Sequence, residues 1–123
     1  MTRIGIIDDD RLVRQTTGNL LRYRGLDVME FDSAESLLQF GSAAELDCLV
    51  VDFHLAGMSG LDLLHELRDR CTDVPCIIMS GFTTSEEVVE LTSAGAAAVM
   101  QKPIRSDQLL KTVSQVTSAA EAA

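Results

Sequence analysis

The chain has 123 residues, 46% hydrophobic and 24% charged, and its 10 basic against 19 acidic side chains give a net charge of −9 at pH 7. This describes one folded domain able to bury a core. The acidic surplus argues against direct nucleic-acid contact, which needs clustered Lys and Arg, and suits a protein that holds a cation.

No apolar stretch approaches the roughly 18 to 20 residues of a membrane span, so no membrane contact is expected. Met1-Thr2-Arg3 runs straight into a strand-like segment, so no signal peptide and a cytoplasmic location are expected. Cys48, Cys71 and Cys76 are odd in number and follow no metal spacing, which reads as reduced, structural thiols.

In chain order, Ile4-Gly5-Ile6-Ile7 is a buried strand ending in Asp8-Asp9-Asp10. Arg11 to Tyr23 reads as a helix with Leu12, Val13, Leu20 and Leu21 on one side and arginines elsewhere, Asp10 as its cap and Gly25 at its end. Asp27 to Phe31 alternates like a strand near a sheet edge. Asp32 and Glu35 have capping-box spacing and open a short helix with Leu37, Leu38 and Phe40.

Cys48-Leu49-Val50-Val51 is an uninterrupted apolar run into Asp52, after which glycine and polar residues take over. Such a run fits a strand buried on both faces of a parallel sheet, with Asp52 at its carboxyl end. Leu61, Leu64 and Leu67 recur at helical spacing up to Arg70. A strand from Val74 to Met79 ends at Ser80-Gly81, with Pro75 at its start, where no ladder donor is lost.

Thr84 and Glu87 repeat the capping-box spacing ahead of a weakly amphipathic helix through Val88, Val89 and Leu91. Ala97 to Gln101 is a fifth strand closed by Lys102-Pro103, and Ser106 caps a last helix carrying Leu109, Val113 and Val116. The tail Ser118 to Ala123 reads either as a fraying helix end or as the start of a connection. Five strand–helix units with short loops predict a doubly wound α/β (βα)5 sandwich of three layers around a parallel five-stranded sheet, with residues 1–123 as one domain.

In that sheet the ends of the first, third, fourth and fifth strands lie side by side, which brings together Asp8, Asp9, Asp52, Ser80 and Lys102. Two carboxylates about 4 Å apart repel by roughly 4 kcal/mol at an effective dielectric of 20. The cluster must therefore hold a proton, a lysine or a hard cation. Few oxygen ligands with room for water suit Mg²⁺, with Mn²⁺ able to substitute. Lys102 and the Ser80 hydroxyl add a point charge and a donor suited to phosphate oxygens.

With these residues at four strand ends, the chain resembles the receiver domain of two-component response regulators, from its first strand to its last helix. The resemblance implies strand order 2-1-3-4-5 and the roles that follow. Asp52 would be the phospho-acceptor. Asp8 and Asp9 would hold the metal, Asp9 directly and Asp8 through water, with Asp52 and the backbone carbonyl of His54. Ser80 and Lys102 would engage the phosphoryl group, and the Lys102-Pro103 bond would be cis.

The donor would be a histidine kinase or phosphotransfer protein. The fourth helix, fifth strand and last helix would meet an output domain or a second copy. Val99 stands where the family usually has an aromatic switch residue, Ile104 replaces a frequent Phe, and His54 and Phe82 occupy positions that tune acyl-phosphate lifetime. A magnesium-dependent phosphohydrolase of the haloacid-dehalogenase type is the alternative, but it requires a second aspartate where His54 stands. A flavodoxin-like FMN carrier needs a hydroxyl- and glycine-rich loop where Asp8-Asp9-Asp10 would repel phosphate.

Overall fold

In the computed structural model, which describes residues 2–40, 45–81 and 84–122, each apolar run forms a strand and each amphipathic segment a helix. The order is β1 (Arg3–Ile7), α1 (Arg11–Tyr23), β2 (Asp27–Phe31), α2 (Ala34–Gln39), β3 (Cys48–Asp52), α3 (Gly60–Asp69), β4 (Cys76–Ser80), α4 (Ser85–Ser93), β5 (Ala98–Gln101) and α5 (Ser106–Ala122). All strand pairs are parallel, in the order β2-β1-β3-β4-β5.

The period-two alternation of the strands divides the core in two. Ile4, Ile6, Cys48, Val50, Ile77 and Met79 face α1 and α5, where they meet Leu21, Leu109 and Val113. Ile7, Leu49, Val51, Cys76 and Ile78 face α2, α3 and α4, where they meet Leu37, Leu63, Leu67 and Leu91. The inner strands β3 and β4 are buried throughout, as their continuous apolar runs require, whereas β2 and β5 at the edges are only partly covered.

Several local expectations are corrected. Leu12 and Val13 do not pack; Leu12 is 73% exposed, and within α1 only Gly18 and Leu21 are buried. The cap of α2 is Ser33, whose Oγ accepts from the Ser36 amide, while Asp32 accepts from the Ser36 hydroxyl, so the expected frame is shifted by one residue. In α4, Val88 and Val89 are exposed and Leu91 alone is buried. Ser106 is the first residue of α5 rather than its cap.

β4 begins at Cys76, so Val74 and Pro75 precede the strand, while the caps of α1 and α4 follow expectation. Asp10 accepts from the Leu12 and Val13 amides, and Gly25 follows the C-cap at φ +85°, a left-handed conformation that glycine adopts without a Cβ clash. Thr84 caps α4 by accepting from the Glu87 amide.

Candidate functional site

β1, β3 and β4 stop at the same rim because their registers align, so the residue types that end them are gathered in one place. Ile7 pairs with Val51, and Asp52 with Met79. Beyond β4, the Lys102 amide donates to the Ser80 carbonyl at 2.7 Å, which draws the loop after β5 over the rim.

Asp8, Asp9 and Asp52 each offer a carboxylate oxygen, and these oxygens lie within 4.8 Å of one another. Asp8 and Asp52 are buried and Asp9 is exposed. Lys102 Nζ lies 3.3 Å from Asp52 Oδ1, and the His54 amide donates to the same oxygen at 3.2 Å. Ser80, fully buried, ends β4. The structure therefore brings together Asp8, Asp9, Asp52 and Lys102. The Lys102–Pro103 bond is cis, and Phe82 lies outside the described residues.

The loops around the cluster are fixed by backbone groups. Asp8 Oδ1 accepts from the Asp10 amide at 2.9 Å, and the Ala56 amide donates to Asp9 Oδ2 at 3.1 Å, tying the loop after β3 to the one after β1. Ser59 and Asp62 form a complete capping box at the start of α3. At Gly60 a Cβ would lie 3.1 Å from the Phe53 Cα, so the helix start packs directly on the chain leaving Asp52.

One atom tests whether the cluster fits a cation. Among the described residues, Asp8 Oδ2 is buried without a hydrogen-bond partner, a costly arrangement for a carboxylate unless something positive meets it. The Asp8 pKa is raised above the ordinary carboxylate value, chiefly by burial. The Asp10 amide opposes the shift, the Asp52 charge adds to it, Lys102 opposes it and Asp9 adds to it. Lys102 offsets part of the repulsion through Asp52, and a hard cation bound by the three carboxylates would satisfy the rest.

Three features of the site lie outside the sequence expectations. The Ala56 clamp is a backbone contact and leaves no side-chain signal. The Ser59–Asp62 box was legible from spacing. Arg14 is the third: its guanidinium donates to the Asp8 carbonyl at 2.7 Å, a contact that depends on where β2 lies.

An α/β sheet of this order has the flavodoxin-like arrangement, with an acidic pocket at its carboxyl rim. The response regulator receiver domain matches residues 4–114, and the chain belongs to that family. It is 35% identical over 112 residues to nodulation protein W of Bradyrhizobium diazoefficiens, covering 91% of this chain and 49% of that protein. It is 34% identical over 110 residues to the transcriptional regulatory protein FixJ of Azorhizobium caulinodans, covering 89% and 52%. The chain thus spans about half the length of the curated relatives it matches.

The crystal structure of FixJ-N superposes with a TM-score of 0.86 at 28% identity, covering 96% of this chain and 94% of that one. The chain is a receiver domain with an acidic pocket, a phosphorylation-activated switch of two-component systems and not a conventional enzyme. Membership of this family implies a histidine kinase as partner. Among the described residues no helix is long and apolar enough to cross a membrane.

Proposed function

We propose that Asp52 is the phospho-acceptor, that Asp8, Asp9, Asp52 and the His54 carbonyl hold Mg²⁺ or Mn²⁺, and that Ser80 and Lys102 engage the phosphoryl group. The observation that carries this reading is the convergence of three carboxylates within 4.8 Å with Lys102 on Asp52. A carboxylate attacks a phosphoryl group of like charge poorly, so the pocket must neutralise both. A divalent cation held by these carboxylates would supply that neutralisation.

The chain's own groups do the rest. Lys102 and the His54 amide both contact Asp52 Oδ1, so attack is assigned to the other carboxylate oxygen. The bond from that oxygen to phosphorus forms as the donor's bond to phosphorus breaks, giving an acyl phosphate on Asp52. Lys102 then lies beside the transferred group, and the Ser80 hydroxyl, at the end of the next strand, accommodates one of its oxygens.

Residues 1–123 act in this reading as one receiver domain in the cytoplasm. A histidine kinase or phosphotransfer protein is the donor, and an output domain or a second copy meets the surface of α4, β5 and α5. Val99, partly buried against the core, is β-branched and has no ring to turn inward. The phosphorylation signal therefore passes from the end of β4 at Ser80 into the first turn of α4.

Acetyl phosphate with Mg²⁺ should add one phosphoryl group, labile to base and hydroxylamine, and Asp52→Asn should remove it. Mass spectrometry that finds the group on a histidine, or undiminished in Asp52→Asn, overturns the assignment. Mg²⁺ should also raise the melting temperature of the wild type through linkage.

A further inference from the structure

Arg14 lies in the second turn of α1 with its side chain only 15% exposed. Its Nη1 donates to the Asp8 carbonyl at 2.7 Å, and its Nε faces Glu30 Oε1 on β2 at 3.5 Å. Glu30 is itself held by Arg22 at 2.9 Å. The other backbone group of Asp8, its amide, donates to the Phe31 carbonyl, also on β2, at 3.1 Å. Both polar backbone groups of Asp8 are thereby referred to the same strand, one directly and one through Arg14.

The Asp8 carbonyl belongs to the peptide that joins Asp8 to Asp9. Because a peptide is planar, fixing its oxygen fixes the direction in which the chain leaves Asp8 and so where the Asp9 carboxylate begins. A guanidinium is suited to this, since its planar fork can be held by one partner while it donates to another. We propose that Arg14, braced by Glu30, is a positioning residue for the cation-binding acid pair, setting the Asp8–Asp9 peptide so that both carboxylates face Asp52. The inference rests on reading the pocket as a divalent-cation site.

Arg22 supplies the control. It makes the shorter ion pair to the same Glu30 and donates to the Val28 carbonyl, away from the acidic loop. A purely structural role for the α1–β2 ion pairs would make Arg14 and Arg22 equivalent.

The test is a Mg²⁺ titration followed by amide chemical shifts, with metal-free melting curves, on wild type, Arg14→Met, Arg14→Lys, Glu30→Gln and Arg22→Met. Arg14→Met should weaken Mg²⁺ binding about tenfold, the scale of losing a group that orients a metal ligand. Arg14→Lys should recover part of the loss, Glu30→Gln should fall between, and Arg22→Met should bind as wild type despite lost stability.

A folded Arg14→Met that binds Mg²⁺ as wild type, or an equal loss in Arg22→Met, overturns the proposal. If Arg14→Met does not fold, unchanged affinity in Glu30→Gln overturns it instead. A wild type that binds no Mg²⁺ removes the cation-site reading as well. A wild type that binds Mg²⁺ alongside an unaffected Arg14→Met overturns the role of Arg14 alone.

Discussion

Helices α3 and α4 cover the same face of the sheet and share one core cluster, yet they are built differently. α3 buries Gly60, Leu63, Leu64 and Leu67 and opens with a complete capping box. α4 buries Leu91 alone, while Val89 is 65% exposed and Glu86, Glu87 and Glu90 face solvent or its edge. The start of α3 sits on the chain leaving Asp52, whereas α4 starts beyond Ser80. Where stability is concentrated in a few helices, the thinly packed element is the one that can move at low cost. The strand that ends in Asp52 thus leads into the firm helix, and the strand that ends in Ser80 leads into the loose one.

The largest test of this contrast is core truncation. Leu67→Ala in α3 should cost about 2–5 kcal/mol of unfolding free energy, the usual range for a buried leucine. Val89→Ala in α4 should stay within about 0.5 kcal/mol. Urea denaturation measures both, and equal losses would mean that α4 is as firmly packed as α3.

Hydrogen exchange tests the consequence. With beryllofluoride and Mg²⁺, amides from Thr84 to Val89 should change protection while those of α3 should not. Ser80→Ala should abolish the change and Val99→Ala should leave it. Loss in Val99→Ala as complete as in Ser80→Ala would place the valine in the coupling.

A smaller effect separates capping from metal binding in the loop between β1 and α1. Asp10 caps α1, so Asp10→Ala should cost about 1 kcal/mol of stability and leave Mg²⁺ affinity unchanged, whereas Asp9→Ala should weaken Mg²⁺ binding severely. Combined thermal melts and Mg²⁺ titrations distinguish them. Similar Mg²⁺ losses in both variants would show that the wrong carboxylates were assigned.

The mildest perturbation is thiol labelling. Burial pushes Cys48 and Cys76 up to about 12, while Cys71 is exposed. Iodoacetamide at pH 8 should modify Cys71 alone, read by peptide mass. The folded pKa of the two buried thiols lies above the unfolded one, so the stability they support is full below the ordinary thiol pKa. It should fall as pH rises toward about 12. Labelling of Cys48 or Cys76 in the native protein would show that the two inner strands open more readily than their burial implies.

The sequence alone determined the strands, because β3 and β4 are buried on both sides and must be written in unbroken apolar residues. It also determined the gathering of Asp8, Asp9, Asp52 and Lys102, since parallel strands joined by helices place their carboxyl ends at one rim. What only the tertiary structure decided lies where one element's surroundings are supplied by another. Leu12 and Val13 follow a helical pattern but stay exposed. Val88 and Val89 have the right composition for packing and the wrong position. Arg14 is one of several arginines on α1, and only the place of Glu30 and Phe31 on the neighbouring edge strand turns it toward the Asp8 carbonyl. Local sequence fixes period and termini through backbone hydrogen bonding, whereas burial of a given side chain depends on distant elements that local sequence does not encode.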